Sequence, residues 1–330
     1  MAASSLAFVA RRGEPELVKP VGPTPRELKR LSDLDDQESL RFYRSVIYFY
    51  RGCPSRSRAD PARVIRGGLA AALVYYYPIA GRLRELPGGK LVVDCTGEGV
   101  CFVEADADVV LDEFGDRLCP PVPCAGELLC LPESNSAIVV NRALLYVQVG
   151  MPDEPNICKQ VGMPMVCMPM VGIHARFERI PTPYESCGTS SHLPAFLTEK
   201  IPETAKRNSK TQTTSHGVTT QDYAQSVADT LVLRGRPRFT MARTYLVTDL
   251  TRSNLNEVDL GWGKPVYGGP ATTTLATFHI PMKGGGIIVP MCLPSRAMER
   301  FAVNVRAGLS GASSSCGHSS SKDSTVLSKL

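Results

Sequence analysis

Apolar residues recur with two different periods along this chain, and the changes of period divide it. Across 60–78, Val64, Ile65, Leu69, Ala72, Leu73 and Tyr76 return at helical spacing, which lays one apolar stripe along a helix. Asp60 offers an N-capping carboxylate, and Pro61 suits a first helical position because its missing N–H has no helical partner to lose. The pattern therefore predicts a helix running to about Tyr77. Shorter runs read as strands at 6–9, 41–50, 91–93, 100–103 and 137–149, parted by Gly and Pro turns. Pro15, Pro20, Pro23 and Pro25 hold the stretch after the first of these in turns and extended pieces. Further on, Tyr223, Val227 and Leu231 stand four apart ahead of a Gly235 stop and predict an amphipathic helix. Strands are expected over 239–247, 274–280 and 287–292, and a last helix carries Ala297, Met298, Phe301 and Val305 behind Ser295 as its cap. Helices interleaved with strands give an α/β chain.

Between these halves the periods vanish. Eight prolines from Pro152 to Pro202 recur too often for continuous strands or helices, since each removes a backbone donor. Val149-Gly150-Met151-Pro152 and Val161-Gly162-Met163-Pro164 also form a small duplication. The expected division is 1–149, a divergent Pro-rich segment 150–217, a further folded stretch 218–308, and a tail 309–330.

Composition narrows the classes. A chain of 330 residues with 43% apolar content can bury a substantial core and has room for two domains. The net charge of +5 is spread without a Lys/Arg block, which suits an anionic ligand and gives no footprint for nucleic acid. No stretch reaches the roughly 18 apolar residues of a membrane span, and the start lacks a charged n-region with a long apolar core, so neither insertion nor secretion is expected. Eleven cysteines then read as reduced thiols. Cys119, Cys124 and Cys130 show no Cys-x-x-Cys pair and no histidine at zinc spacing, so no metal is expected. Residues 310–327 are Ser-rich and end on Ser328-Lys329-Leu330, which spells a peroxisomal address for an import receptor. Cytoplasmic residence is the alternative.

Two blocks carry a family likeness. Asp259-Leu260-Gly261-Trp262-Gly263-Lys264-Pro265 holds the only Trp of the chain between two glycines, and Tyr77-Pro78-Ile79-Ala80-Gly81-Arg82 follows the predicted first helix. They resemble the D-F-G-W-G and Y-P-x-A-G-R blocks of plant BAHD acyltransferases. Pro23-Thr24-Pro25, the run 31–37 (Leu-Ser-Asp-Leu-Asp-Asp-Gln), 60–66 and 96–100 are similar to the benzyl alcohol O-benzoyltransferase group of that family. The resemblance implies a two-domain, chloramphenicol acetyltransferase-like fold with an incomplete second domain. It also implies acyl transfer from a coenzyme A thioester to a small alcohol, with no resident cofactor, and a monomer is expected. Asp259, Gly261, Trp262 and Gly263 are implied to be structural: in the family the Asp pairs with an Arg, and the ring packs away from the reacting atoms.

The family's chemistry uses the His of H-x-x-x-D, because an alcohol attacks a thioester poorly until a positioned base takes its proton. Here the closest approach is His174-Ala175-Arg176-Phe177-Glu178, in which Glu keeps the charge on a longer arm. His174 is thus the one catalytic candidate, with a solvated loop histidine as its alternative. His279 and His318 read as a packed strand residue and a tail residue. No G-x-S-x-G elbow, P-loop, G-x-G-x-x-G fingerprint or His-Glu-x-x-His helix occurs, and Gly284-Gly285-Gly286 reads as a loop before a strand. Three functions stay open: an acyltransferase, a non-catalytic remnant, and a binding protein for coenzyme A or another small ligand.

Overall fold

A computed structural model describes residues 6–33, 35–38, 41–51, 60–115, 118–130, 139–152, 164–169, 221–237, 247–273, 277–282 and 285–312. In chain order these form β1 (Ala10–Arg12), β2 (Glu16–Val18), β3 (Leu28–Arg30), β4 (Tyr43–Phe49), α1 (Pro61–Tyr75), β5 (Arg82–Glu85), β6 (Leu91–Asp94), β7 (Val100–Ala107), α2 (Leu111–Phe114) and α3 (Ala125–Leu128). They continue with β8 (Tyr146–Pro152), β9 (Pro164–Pro169), α4 (Gln221–Leu233), β10 (Val247–Asp249), β11 (Tyr267–Pro270), β12 (Thr277–Pro281), β13 (Ile287–Ile288) and α5 (Ser295–Ala312). The chain divides into two compact units, Met1–Pro290 and Met291–Leu330.

Helix α1 starts where its cap predicts: Asp60 Oδ1 accepts from the amides of Ala62 (3.0 Å) and Arg63 (3.4 Å), with Pro61 in the first turn. It stops at Tyr75, two residues short of the expected end. Pro78 bars α geometry for Tyr77, so Tyr76 turns out of the helix and Tyr77–Ala80 tightens into a 3-10 turn. Ala62, Ile65, Leu69 and Leu73 on its inner stripe pack with Val100, Phe102, Val147 and Val149. Phe102 and Val100 are wholly enclosed, and each contributes about 1.5–3 kcal/mol by leaving water.

Among the described residues the main sheet has seven strands, ordered β1-β7-β8-β9-β4-β11, with β2 on β7 beside β1. Strand alternation sends Phe102 to the α1 side and Val103 to the other. There Ile47, Phe49, Val103 and Tyr146 join Tyr267, Ala271, Phe278 and Ile280 in a second core cluster. β11 pairs antiparallel with β4, so the later half of the chain completes the sheet begun by the first.

Several expectations need correction. The run 6–9 is not a strand; pairing begins at Ala10, where β1 meets β7. Of the predicted strand at 137–149, the described part from Val139 is a turn with isolated bridges until Tyr146, because Asn141 adopts φ +61 and breaks extension. The prolines of 150–217 do not exclude strands either. β8 runs on to Pro152, and β9 spans Pro164–Pro169 between β8 and β4. Both its prolines sit at the strand's ends, leaving Met165 to Met168 to supply ladder donors. β13 is two residues long, shorter than the expected 287–292.

The smaller sheets are β3-β6-β5 and β10-β12-β13. Helix α4 buries Ala228 and Leu231 and ends at Leu233, two residues before Gly235, whose φ of +68 suits the predicted stop. The strand expected at 239–247 lies outside the described residues, apart from Val247. Gly285 and Gly286 precede β13 as a loop with positive φ. In the second unit, Ser295 is the first residue of α5, not a cap before it; Pro294 O accepts from Ala297 and Met298.

Candidate functional site

The Asp259 block folds as a loop around its own carboxylate. Asp259 Oδ1 accepts from the amides of Gly261 (2.7 Å) and Gly263 (2.9 Å), and φ values of +105 and +85 at these glycines let both N–H groups turn inward. Between them Trp262, 7% exposed, packs against Tyr50, with Tyr48, Ile65 and Leu260 around the pair. Tyr50 Oη donates to Val258 O at 2.8 Å, fixing the loop to the end of β4. Burial, reinforced by Tyr48 and Asp259, pushes the Tyr50 phenol up, so it stays a neutral donor. Among the described residues the partners of the Asp259 carboxylate are these backbone amides.

The Tyr77 block is a second turn built on close approach. A Cβ at Gly81 would sit 2.4 Å from the Asp94 carbonyl, so only glycine fits. Arg82 points inward, donating to the carbonyls of Gly81 (2.7 Å) and Gly99 (2.8 Å), and its Nε lies 3.3 Å from Glu98. Tyr77 Oη donates to Glu27 Oε1 at 2.6 Å.

The run at 31–37 places Asp33 and Asp36 beside Lys90 and Arg236. Lys90 Nζ lies 2.9 Å from Asp33, 3.1 Å from Asp36 and 2.6 Å from the Leu31 carbonyl. Arg236, at φ +51 just past α4, reaches both carboxylates and the Gly88 carbonyl. Burial would raise the Asp33 carboxyl, but the hydrogen bond and charge of Lys90, with the charge of Arg236, outweigh it and hold Asp33 below the usual carboxylate range. Sequence reasoning singled out 31–37 as a family match and missed its cationic partners. The two acidic positions so near each other were the available signal, since such a pair calls for counter-charge once buried.

His174 lies outside the described residues, as do His192, His216 and His318, the Ser-rich end of the tail and Ser328, Lys329 and Leu330. β9 ends at Pro169 opposite Tyr43, beside the Tyr43–Tyr146 edge-to-face pair at 5.2 Å. Burial pushes both phenols up, so neither serves as a base near neutral pH. His279, the one described histidine, is half-buried in β12, where its carbonyl accepts from Leu250. The structure thus assembles the Asp259 loop and the Tyr77 turn as supports. No described histidine stands at the end of β9.

A Transferase family model matches residues 12–151 and 188–307. The second stretch begins inside the segment read above as divergent, and His174 falls between the two. Benzyl alcohol O-benzoyltransferase of Nicotiana tabacum is 36% identical over 430 aligned positions, covering 90% of this chain and 93% of that enzyme. Its counterpart in Petunia hybrida is 36% identical over 439 positions, covering 93% and 95%. The tobacco alignment exceeds the 330 residues of this chain by 100, so at least that many aligned positions have no counterpart here. Vinorine synthase superposes with a TM-score of 0.55 at 17% identity, covering 88% of this chain and 96% of its own, which shows a shared fold. The matched blocks, the sheet they build and relatives aligned along nine-tenths of the chain agree: it belongs to the BAHD family of acyl-CoA-dependent acyltransferases.

Proposed function

We propose that this chain derives from an acyl-CoA-dependent alcohol acyltransferase of the benzoyl-transferring kind and has lost catalysis. The observation that carries this reading is the absence of H-x-x-x-D from all 330 residues. The reaction requires a base within hydrogen-bond reach of the acceptor hydroxyl as its oxygen attacks the thioester carbonyl and the coenzyme A thiol departs. The positions missing from the alignment support the loss, and the two benzyl alcohol O-benzoyltransferases support the benzoyl assignment.

A second reading has one specific observation in its favour. β9 runs antiparallel between β8 and β4 and ends five residues before His174. A histidine just beyond a central strand is the family's arrangement, so His174 would act as base with Glu178 in the place of the Asp.

The test is incubation of the purified chain with benzoyl-CoA and benzyl alcohol, with benzyl benzoate measured by gas chromatography. No ester above the uncatalysed background supports the loss of catalysis. Ester formation abolished by His174→Ala replaces it with the second reading, and ester that persists in the variant defeats both. For location, we propose peroxisomal import through Ser328-Lys329-Leu330. A fluorescent protein fused ahead of the full chain should enter peroxisomes and stay cytosolic once the tripeptide is removed.

A further inference from the structure

Helix α5 keeps large apolar side chains in water. Met298, Phe301, Ala302, Val305 and Leu309 return at steps of three and four along its 18 residues, which gathers them into one stripe on a helix about 27 Å long. Phe301 is 40% exposed and Leu309 54%, while Met298, Ala302 and Val305 are half-buried. Residues Met291–Leu330 form a compact unit of their own, and a unit so short has little core in which to bury such a stripe. The remainder of the helix is basic. Arg296 and Arg300, one turn apart, stand on the side opposite the stripe, Arg306 stands on its flank, and all three are exposed. Glu299 is the one carboxylate among them, so the helix is cationic.

We propose that α5 is a membrane-docking surface, which lies in the plane of an anionic phospholipid leaflet with Phe301, Leu309 and Met298 turned into it. No helix of the described residues is long and apolar enough to cross a membrane. A helix with a phenylalanine- and leucine-bearing stripe, arginines on the polar face and little net hydrophobicity instead settles at the boundary of headgroups and acyl chains, its apolar side about 5–10 Å deep.

Charge selects this occupant over a second copy of the chain. Two copies of α5 packed stripe to stripe would set one cationic helix against another, whereas phosphate-bearing headgroups supply the counter-charge that the helix lacks within itself. The arginines on the far side remain within reach of the surface potential, since the helix is about as thick as a Debye length. Arg306 is placed to lay its stem along the apolar boundary and carry its guanidinium to the phosphates.

The test spins the purified, full-length protein with vesicles of phosphatidylserine and phosphatidylcholine, and with vesicles of phosphatidylcholine alone. The protein should pellet with the first and stay in solution with the second, and added salt should release it. Phe301→Asp combined with Leu309→Asp should abolish pelleting at an unchanged melting temperature, and Arg296→Glu combined with Arg300→Glu should also lose it. If a variant fails to fold, hydrogen exchange on the unaltered chain decides: exchange over 295–312 should slow on the anionic vesicles. Absence of pelleting with phosphatidylserine overturns the proposal, as does equal pelleting with both vesicles or binding that survives Phe301→Asp with Leu309→Asp. A dimer in sedimentation that the same double variant dissociates overturns it in favour of a second copy.

Discussion

Arg236 grips Asp36 across 200 residues of sequence, with Nε 3.1 Å and Nη2 3.0 Å from the same carboxylate oxygen. The Asp36 side chain is wholly buried, and its other oxygen accepts from the Leu91 amide at 2.8 Å. One carboxylate therefore joins the end of α4, the strand β6 and the turn at 33–36. Removing Arg236 leaves that buried charge with Lys90 as its one cationic partner among the described residues. Because Lys90 still compensates Asp36, Arg236→Ala should destabilise the fold by about 1.5–3 kcal/mol in urea unfolding. Arg236→Lys should recover part of this, since one ammonium replaces a fork that spans Asp33 and Asp36.

The same cluster sets an acid limit. Asp33 is held below its ordinary 3.8, so its contribution is complete above that value and disappears as pH falls through the lower folded value. Melting temperature should be insensitive to this group from neutral pH down to about 5 and fall below about 4. In Asp33→Asn the acid-induced fall should be smaller, from a lower starting temperature.

The Asp259 loop has its own reporter, because Trp262 is the only Trp in the chain. At 7% exposure it should emit at short wavelength when folded. Asp259→Ala removes the acceptor shared by the Gly261 and Gly263 amides, which water can then reach, and should cost about 0.5–1.5 kcal/mol, with emission moving to longer wavelength as the ring leaves Tyr50. An unchanged spectrum would mean that ring packing alone holds the loop.

Two glycines should respond in opposite directions to alanine. Gly81→Ala drives a Cβ to 2.4 Å from the Asp94 carbonyl, and such overpacking costs about 1–3 kcal/mol. Gly67, exposed inside α1, has nothing within 4 Å of a new Cβ, so Gly67→Ala should stabilise by about 0.5–1 kcal/mol. Paired denaturant curves on the two variants check both signs.

Legibility followed the range of the forces. The start of α1 could be read because Asp60, Pro61 and the apolar stripe act within a few residues. Its early end at Tyr75 needed the steric effect of Pro78 on its neighbour. The Asp259 block was legible as a turn for a similar reason: one carboxylate and two glycines close it locally. β9 was not legible. Proline frequency argued against a strand, while pairing with β8 on one side and β4 on the other supplied the ladder that makes four intervening residues extend.

The sequence by itself determined the family, the local turns and the main strand and helix positions, and it determined that no H-x-x-x-D exists in any register. These depend on residue identity and short spacing, which folding cannot alter. Tertiary structure alone decided that Arg236 and Lys90 neutralise Asp33 and Asp36, that Tyr50 receives Trp262, and that β11 closes the sheet on β4. Each of these contacts joins residues remote along the chain, and charge or ring chemistry names many possible partners until packing brings one of them within reach.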